Sequence, residues 1–276
     1  MADKMQMKNS SRVWRNALTE WRRLLAARRP HSCVLLLAAY LLLIGPGWNQ
    51  CASATPLPEP YYERIPDGDT IEEGVVTSLA QDEKGLLWIG TQKGLLRFDG
   101  YRLLKIAGSL PPDTRVVNDF ITALAAGKNG QLAMGSASDG LLLLNTDSGK
   151  VERYYHDPGQ ENSISAGTIW CISADAAGGW WIGTDQGLDY LAPGKKTFTH
   201  YRHQAANEAS LLDNRVRSLL IDRKGQLWVG SAEGLQRMRS NRLGFERVAS
   251  GNPGPDSLAR QEVRALFEAA DGKLWL

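Results

Sequence analysis

Beyond residue 55 the apolar residues fall in short runs that end at turn residues, and helical periodicity is absent. The first run, 75–81, is followed by Asp82-Glu83-Lys84-Gly85, which has the Asp and Gly positions of a type I turn. Three further runs of strand length follow, at 86–91, 95–100 and 101–106. The pattern predicts a unit of four short antiparallel strands.

The same unit recurs along the chain. Four segments superpose, at 76–100, 121–145, 169–191 and 216–238, and a fifth begins at Val263. One column of equivalent positions holds Trp88, Ala133, Trp181, Trp228 and Trp275, at steps of 45, 48, 47 and 47 residues. A second column holds Ser163, Ser210 and Ser257, again 47 residues apart. Two columns in one register indicate a true repeat.

Four strands in a repeat of this length are typical of a propeller blade. The predicted fold class is therefore all-β, a β-propeller of four-stranded antiparallel blades, with four blades and the start of a fifth. The predicted blades are 75–106, 120–155, 168–202, 215–248 and a truncated 262–276. Because propellers of this spacing usually have more blades, we expect a fragment, in which Tyr61–Ile65 is a strand that awaits a partner.

The first 54 residues have the layout of an export signal. A basic stretch, 1–32, precedes an apolar run of thirteen residues, 33–45, and then Ala52-Ser53-Ala54. The run is shorter than the roughly 20 residues of a membrane-spanning helix. We predict a signal peptide over 1–54, cleaved after Ala54, with an uncleaved signal anchor as the alternative. The expected location of 55–276 is the periplasm, or the periplasmic side of the inner membrane.

Charge and cysteine content change the picture in two ways. The formal charge of +2 divides into +6 within residues 1–32 and −4 beyond them, so basicity gives no argument for nucleic-acid binding. Cys33 and Cys51 lie in the predicted leader, which leaves only Cys171. An intramolecular disulfide is therefore not expected in the mature chain.

The repeat resembles the two-component regulator propeller repeat. The residues that carry the resemblance are Val76, Leu79, Asp82, Gly85, Leu87-Trp88-Ile89-Gly90-Thr91 and Gly94-Leu95, and they recur from Val216 to Leu235. The resemblance covers about residues 61–276. It implies the extracytoplasmic sensor region of a membrane receptor whose histidine kinase, hybrid kinase or diguanylate cyclase output is absent from this chain. Departures at Gly127, Ala133-Met134 and Ala269 are interpreted as drift within a structural repeat.

Residues that recur once per blade are interpreted as structural. They are Trp88, Trp181, Trp228 and Trp275; Asp82, Asp175 and Asp222; and Gly85, Gly90, Gly183 and Gly230. The tryptophans are expected to pack between blades and not to serve as ligand platforms. Ala133 is expected to leave a gap that Met134 fills. Cys171 is interpreted as a small hydrophobe.

One variable column offers candidate binding residues. It holds Thr77, Thr122, Trp170, Arg217 and Arg264, directly after the first apolar residue of each innermost strand. Trp170, Arg217 and Arg264 are the predicted ligand-binding residues, at the channel or its rim, where arginine suits a carboxylate or sulfate and tryptophan a sugar ring. The alternative is solvated surface or blade packing.

The H-E-x-x-H, G-x-S-x-G, P-loop and paired-cysteine signatures are absent from the sequence. His200 and His203 lie three residues apart without a third ligand, so no catalytic residue, metal or cofactor is predicted. The leading function is a periplasmic ligand-sensing module of a signalling receptor. Its partner would be a small molecule such as a carbohydrate, or a protein; a receptor dimer is compatible, and the membrane is reached only through the leader or a missing C-terminal segment. The alternatives are an envelope scaffold for proteins and a propeller enzyme such as a glycosidase or lyase.

Overall fold

The computed structural model describes residues 75–106, 120–248 and 261–276. The predicted leader, the strand at Tyr61–Ile65 and Ser257 lie outside the described residues. Within the described ranges the regular structure is antiparallel sheet, which confirms the all-β class. A search of the same ranges finds no helix with the length and apolar character needed to cross a membrane.

Four blades each contain four strands in the order of the chain. Blade 1 consists of β1 (Val76–Gln81), β2 (Leu87–Thr91), β3 (Gly94–Phe98) and β4 (Leu103–Lys105). Blade 2 consists of β5 (Ile121–Ala126), β6 (Gln131–Ser136), β7 (Leu141–Asn145) and β8 (Val151–Tyr154).

Blades 3 and 4 repeat this plan. Blade 3 consists of β9 (Ile169–Ala174), β10 (Trp180–Thr184), β11 (Gly187–Leu191) and β12 (Phe198–Tyr201). Blade 4 consists of β13 (Val216–Ile221), β14 (Leu227–Ser231), β15 (Gly234–Met238) and β16 (Phe245–Arg247). A two-stranded part of blade 5 follows, with β17 (Phe267–Glu268) and β18 (Leu274–Trp275). The predicted incomplete propeller is thus confirmed as the fold class.

The turn between the first two strands of a blade is fixed by its aspartate and glycine. In blade 1 the Gly85 amide donates to the Asp82 carbonyl at 3.0 Å, and Gly85 has φ +81°. Asp82 Oδ1 accepts from the backbone amides of Lys84 and Leu86 at 2.9 and 3.0 Å. The backbone bond recurs from Gly178 to Asp175 and from Gly225 to Asp222. One short sequence therefore specifies the same turn three times.

Successive blades stack through a glycine on one blade and a β-branched residue on the next. A Cβ on Gly90 would lie 2.8 Å from Ile121 Cγ2, and one on Gly183 would lie 2.7 Å from Val216 Cγ1. Ile121 and Val216 are both buried. Any side chain larger than hydrogen at Gly90 or Gly183 would force the blades apart.

Each joint between complete blades contains one large tryptophan. Trp88 packs with Leu132 between blades 1 and 2, and Trp181 packs with Leu227 between blades 3 and 4. Between blades 2 and 3 the sizes are exchanged, because the buried Ala133 of blade 2 shares its cluster with Trp180 of blade 3.

The expectation that Met134 fills the gap beside Ala133 is wrong. Met134 belongs to the cluster of Trp88, on the opposite face of its sheet. Trp180 fills the space instead, and its ring also covers Gly127, where a Cβ would lie 2.6 Å from Trp180 Cη2.

The loss of the turn aspartate in blade 2 follows from the same exchange. Asp82 Oδ2 accepts from Trp88 Nε1 at 2.8 Å, and Asp222 Oδ2 accepts from Trp228 Nε1 at 2.9 Å. In blade 2 the residue at the tryptophan position is Ala133, which has no indole N–H for a carboxylate to accept from. The ring of Trp180 occupies the space beside Gly127, where the aspartate of the other blades would lie. The absence of a carboxylate at Gly127 is thus compatible with Ala133 and with the position of Trp180.

Two loops that connect blades are fastened in the same way. Between blades 2 and 3, Ser163 Oγ donates to the Asp157 carbonyl at 2.9 Å, and His156 Nδ1 lies 2.7 Å from the Ile164 carbonyl. Between blades 3 and 4, Ser210 and His203 make the equivalent contacts at 3.1 and 2.7 Å. The recurring serine column thus marks the connections between blades.

Candidate functional site

The variable column of the first strands has a structural duty in the first two blades. Thr77 Oγ1 donates to the Ile121 carbonyl at 2.5 Å, and Thr122 Oγ1 donates to the Ile169 carbonyl. Each bond joins a blade to the next one. At Thr77 and Thr122 the column therefore serves blade packing, which was the alternative to ligand binding.

In blades 3 and 4 the contact with the next blade is made by the following residue of the strand. Ser218 Oγ donates to the Val263 carbonyl at 2.9 Å, and Cys171 Sγ makes a weaker contact with the Val216 carbonyl at 4.0 Å. Burial raises the pKa of the Cys171 thiol, so it remains neutral. Trp170 and Arg217 occupy the variable column in these two blades. Because Cys171 and Ser218 contact the next blade instead, neither side chain has to bond its backbone.

The side chains of Trp170 and Arg217 contact each other. The guanidinium of Arg217 lies over the Trp170 ring, with 4.6 Å between its Cζ and the ring centroid. Arg217 also pairs with Asp185 at 2.9 Å and with Glu262 at 3.4 Å, and Arg264 pairs with Glu262 at 2.8 Å. We call Trp170, Asp185, Arg217, Glu262 and Arg264 the rim cluster.

The fold brings the rim cluster together from three successive blades. Trp170 and Arg217 are the second residues of β9 and β13, Asp185 lies in the turn between β10 and β11, and Glu262 and Arg264 precede β17. In each blade the start of the first strand pairs with the end of the second, as Ile169 does with Thr184. All five residues therefore lie at the same edge of the stacked sheets.

Exposure separates the members of the rim cluster. The side chain of Arg264 is 80% exposed, and Trp170 is 41% exposed. The side chain of Arg217 is only 21% exposed, and two carboxylates of the protein already occupy it. The three predicted binding residues are thus close together, but only Trp170 and Arg264 present much free surface.

The charges of the rim cluster compensate one another. The Arg264 guanidinium, with a smaller contribution from Arg217, holds the pKa of Glu262 below its ordinary value. The cluster therefore contains two cations and, when Glu262 and Asp185 are ionised, two anions beside an aromatic ring. This arrangement offers hydrogen-bond donors, acceptors and a flat apolar face in one place.

Asp185 and Glu262 were not among the predicted site residues. Neither belongs to a recurring column. Asp185 is equivalent to Gln92, Ala137 and Ala232, and Glu262 is equivalent to Phe120, Thr168 and Arg215. Their variability at positions beside the variable column is the only signal that the sequence contains.

Ser165, Asp189 and His200 form the arrangement that most resembles a catalytic triad among the described residues. Ser165 Oγ donates to Asp189 Oδ1 at 2.6 Å, and His200 Nδ1 lies 2.6 Å from the same oxygen. His200 Nε2, which would contact the serine in a triad, lies 3.0 Å from the Glu161 carbonyl. Since Ser165 and Asp189 are also buried, the group is placed to fasten the chain and not to attack a substrate.

His200 and His203 contact different parts of the chain. His200 contacts Asp189 and Glu161, whereas His203 Nδ1 lies 2.7 Å from the Leu211 carbonyl. Across the described ranges, no group of three or more His, Cys, Asp or Glu side chains is arranged to hold a metal ion.

Comparison with solved structures shows the same fold. The extracellular domain described as part of a hybrid two component system of B. thetaiotaomicron has a TM-score of 0.56 at 22% identity, over 72% of this chain and 27% of that one. An extracellular domain of a one component system from the same organism has a TM-score of 0.36 at 18% identity, and the match covers 74% of this chain and 37% of that one. The β-propeller domain of Cps50 (Swd1) from Myceliophteria thermophila has a TM-score of 0.48 at 13% identity, and the match covers 73% of this chain and 61% of that one.

These likenesses concern the fold alone, because every identity is below 25%, and the two TM-scores under 0.5 carry no argument. The chain spans about a quarter of the length of the first of these domains. No curated protein matches the chain.

Comparison with protein families identifies the repeat itself. The family described as two component regulator propeller matches residues 70–93 and 210–233. The first segment contains the turn Asp82–Gly85 and the strand β2 of blade 1. The second segment contains the strand β13 of blade 4. Residues 70–93 and 210–233 therefore match the two component regulator propeller family, which confirms the resemblance that their motif indicated.

Proposed function

We propose that this chain is the extracytoplasmic ligand-sensing module of a membrane signalling receptor. The family of its repeats supports a role in signal transduction, and the export layout of residues 1–54 supports a periplasmic location. The histidine kinase or diguanylate cyclase output belongs, in this proposal, to sequence outside this chain. The observation that carries the proposal is the rim cluster.

The rim cluster suits a ligand with a flat apolar face and an anionic group. The free part of the Trp170 ring can stack on such a face, as tryptophan does on a sugar ring. The exposed guanidinium of Arg264 can pair with a carboxylate or sulfate. Arg217 supports both, because it covers one part of Trp170 and shares Glu262 with Arg264. We therefore propose an acidic carbohydrate as the ligand class.

Calorimetry on the purified chain tests this function with three disaccharides: one sulfated, one containing a uronic acid and one neutral. We expect the acidic disaccharides to bind and the neutral one to bind at least about tenfold more weakly, a difference of about 1.4 kcal/mol. Trp170→Ala and Arg264→Gln should each abolish the binding.

Lys195→Gln is the matched control, because Lys195 is an exposed cation of blade 3 outside the rim cluster. It should leave the affinity unchanged. Binding that is equal for all three sugars, absent for all three, or insensitive to Trp170→Ala would overturn the proposal.

A further inference from the structure

The loop that leads from blade 2 to Trp170 is fastened to blade 3 by an ionisable group. Asp189, on β11, is fully buried and accepts from the Ser165 amide at 2.7 Å and from Ser165 Oγ at 2.6 Å. His200, on β12, contacts both Asp189 and the loop carbonyl of Glu161. We call Ser165, Asp189 and His200 the loop latch.

The geometry of the loop latch favours a protonated imidazole. Nδ1 of His200 lies 2.6 Å from a carboxylate oxygen of Asp189, and Nε2 lies 3.0 Å from the carbonyl oxygen of Glu161. Both of these partners are acceptors, and only the imidazolium donates to both at once. A neutral ring that donates from Nε2 would turn its Nδ1 lone pair toward the Asp189 carboxylate, and only the Ser165 hydroxyl, 3.0 Å from Nδ1, could then donate to it. That hydroxyl already donates to Asp189.

The charges around His200 favour the same state. Its hydrogen bond to Asp189 holds the pKa of His200 above its ordinary value, while burial and the nearby Arg202 oppose this effect. The charged side chains that face the ring are thus Asp189 of β11 and Arg202 beside β12, and the loop contributes the Glu161 carbonyl.

Blade 4 contains the same fastening without an ionisable group. Gln236 lies 47 residues after Asp189 and is also buried. The Leu212 amide donates to Gln236 Oε1 at 2.7 Å, and Gln236 Nε2 donates to the Ser210 carbonyl at 3.0 Å. The loop that leads to Arg217 is therefore held by a neutral amide.

We propose that protonation of His200 locks the loop 156–168, so that the order of the segment leading to Trp170 responds to pH. Because the folded state raises the proton affinity of His200, the lock is complete below the pKa of a free histidine and is lost as the pH rises through the higher value of the folded chain. The consequence for ligand binding rests on the proposed function; the lock itself does not.

Amide hydrogen exchange on the purified chain, from about pH 5 to about pH 9, tests the loop latch. After correction for intrinsic exchange, protection of the amides at 160–165 should fall about tenfold across the titration of His200. Protection at 207–212 should change by less than about twofold, because Gln236 does not titrate. His156 and His203 make equivalent contacts in the two loops, so the loops are matched apart from the group that fastens each of them.

Two variants sharpen the result. His200→Gln should remove the pH response at 160–165, whereas His203→Gln should leave it intact. An equal response in both loops, or a response that survives His200→Gln, would refute the latch. If His200→Gln does not fold, an NMR titration of the parent decides, since an imidazole pKa at or below about 6.5 contradicts a locked imidazolium. These measurements use no ligand, so a failure of sugar binding would remove the proposed function and leave the latch standing.

Discussion

A single hydroxyl group decides how one blade is joined to the next. Thr77 and Thr122 supply it from one position, and Ser218 supplies it from the following position. Blade 1 contains both options, because Ser78 is equivalent to Ser218, and its buried Oγ has no hydrogen-bond partner. Blade 2 has Ala123 there and so no substitute.

This difference predicts unequal effects of the same substitution. Thr122→Val leaves the Ile169 carbonyl without its donor and should cost about 1–3 kcal/mol in the free energy of unfolding. Thr77→Val should cost well under about 1 kcal/mol, because Ser78 can donate to the Ile121 carbonyl in its place. Denaturant unfolding measures both.

The double variant Thr77→Val, Ser78→Ala is the control and should cost as much as Thr122→Val. Equal costs for the two single variants would show that Ser78 does not replace the threonine.

At the scale of the strand, blade 2 and blade 3 exchange a large and a small side chain across their joint. Position 133 of blade 2 is alanine where blades 1, 3 and 4 have tryptophan. Position 180 of blade 3 is tryptophan where blades 1, 2 and 4 have leucine. The joint remains filled because Trp180 occupies the space beside Ala133 and Gly127.

Restoring the common residue at one of these positions alone should therefore be harmful. Ala133→Trp forces a second indole into a filled joint and should cost about 3 kcal/mol or more. Combination with Trp180→Leu should recover about 1–3 kcal/mol through coupling of the two sites. A double-mutant cycle of unfolding free energies measures the coupling, and strictly additive costs would contradict the exchange.

The sequence predicted the repeated four-stranded sheet because its turns and strands are specified locally. The aspartate–glycine turn and the glycine at the end of each second strand recur with the blade, and each has a local or nearest-blade cause. The exchange at Ala133 also left a trace, since Trp180-Trp181 is a doubled tryptophan one repeat after the missing one.

The rim cluster and the loop latch were harder to predict. Asp185, Arg217 and Glu262 meet only when three blades are stacked, and Asp189 meets Ser165 across 24 residues. At the equivalent positions of the other blades at least one residue of each pair is of a different type, so none of these pairs recurs along the chain. A pattern search detects what recurs, whereas these contacts are specific to one joint.

At the scale of the whole described stack, position decides the burial of equivalent residues. Leu79 in β1 is 59% exposed, whereas Leu124, its equivalent in β5, is 9% exposed because blade 1 packs against it. No blade among the described residues covers the corresponding face of blade 1.

Identical substitutions at these two positions should therefore have different outcomes. Leu79→Lys should change the free energy of unfolding by less than about 0.5 kcal/mol, because the charge remains in water. Leu124→Lys should cost more than about 3 kcal/mol, because it buries a charge in the joint. Thermal or denaturant unfolding distinguishes them, and a large loss for Leu79→Lys would mean that another part of the protein covers blade 1.

The exchange of Trp180 and Ala133 also limits how such a protein can evolve. Removal of residues 120–167 would bring blade 1 directly against blade 3 and would place Trp88 and Trp180 in one gap. Duplication of blade 3 would likewise set Trp181 against a second copy of Trp180. Copies that began as interchangeable modules have thus acquired a fixed neighbour, and later gain or loss of repeats is restricted to the other joints.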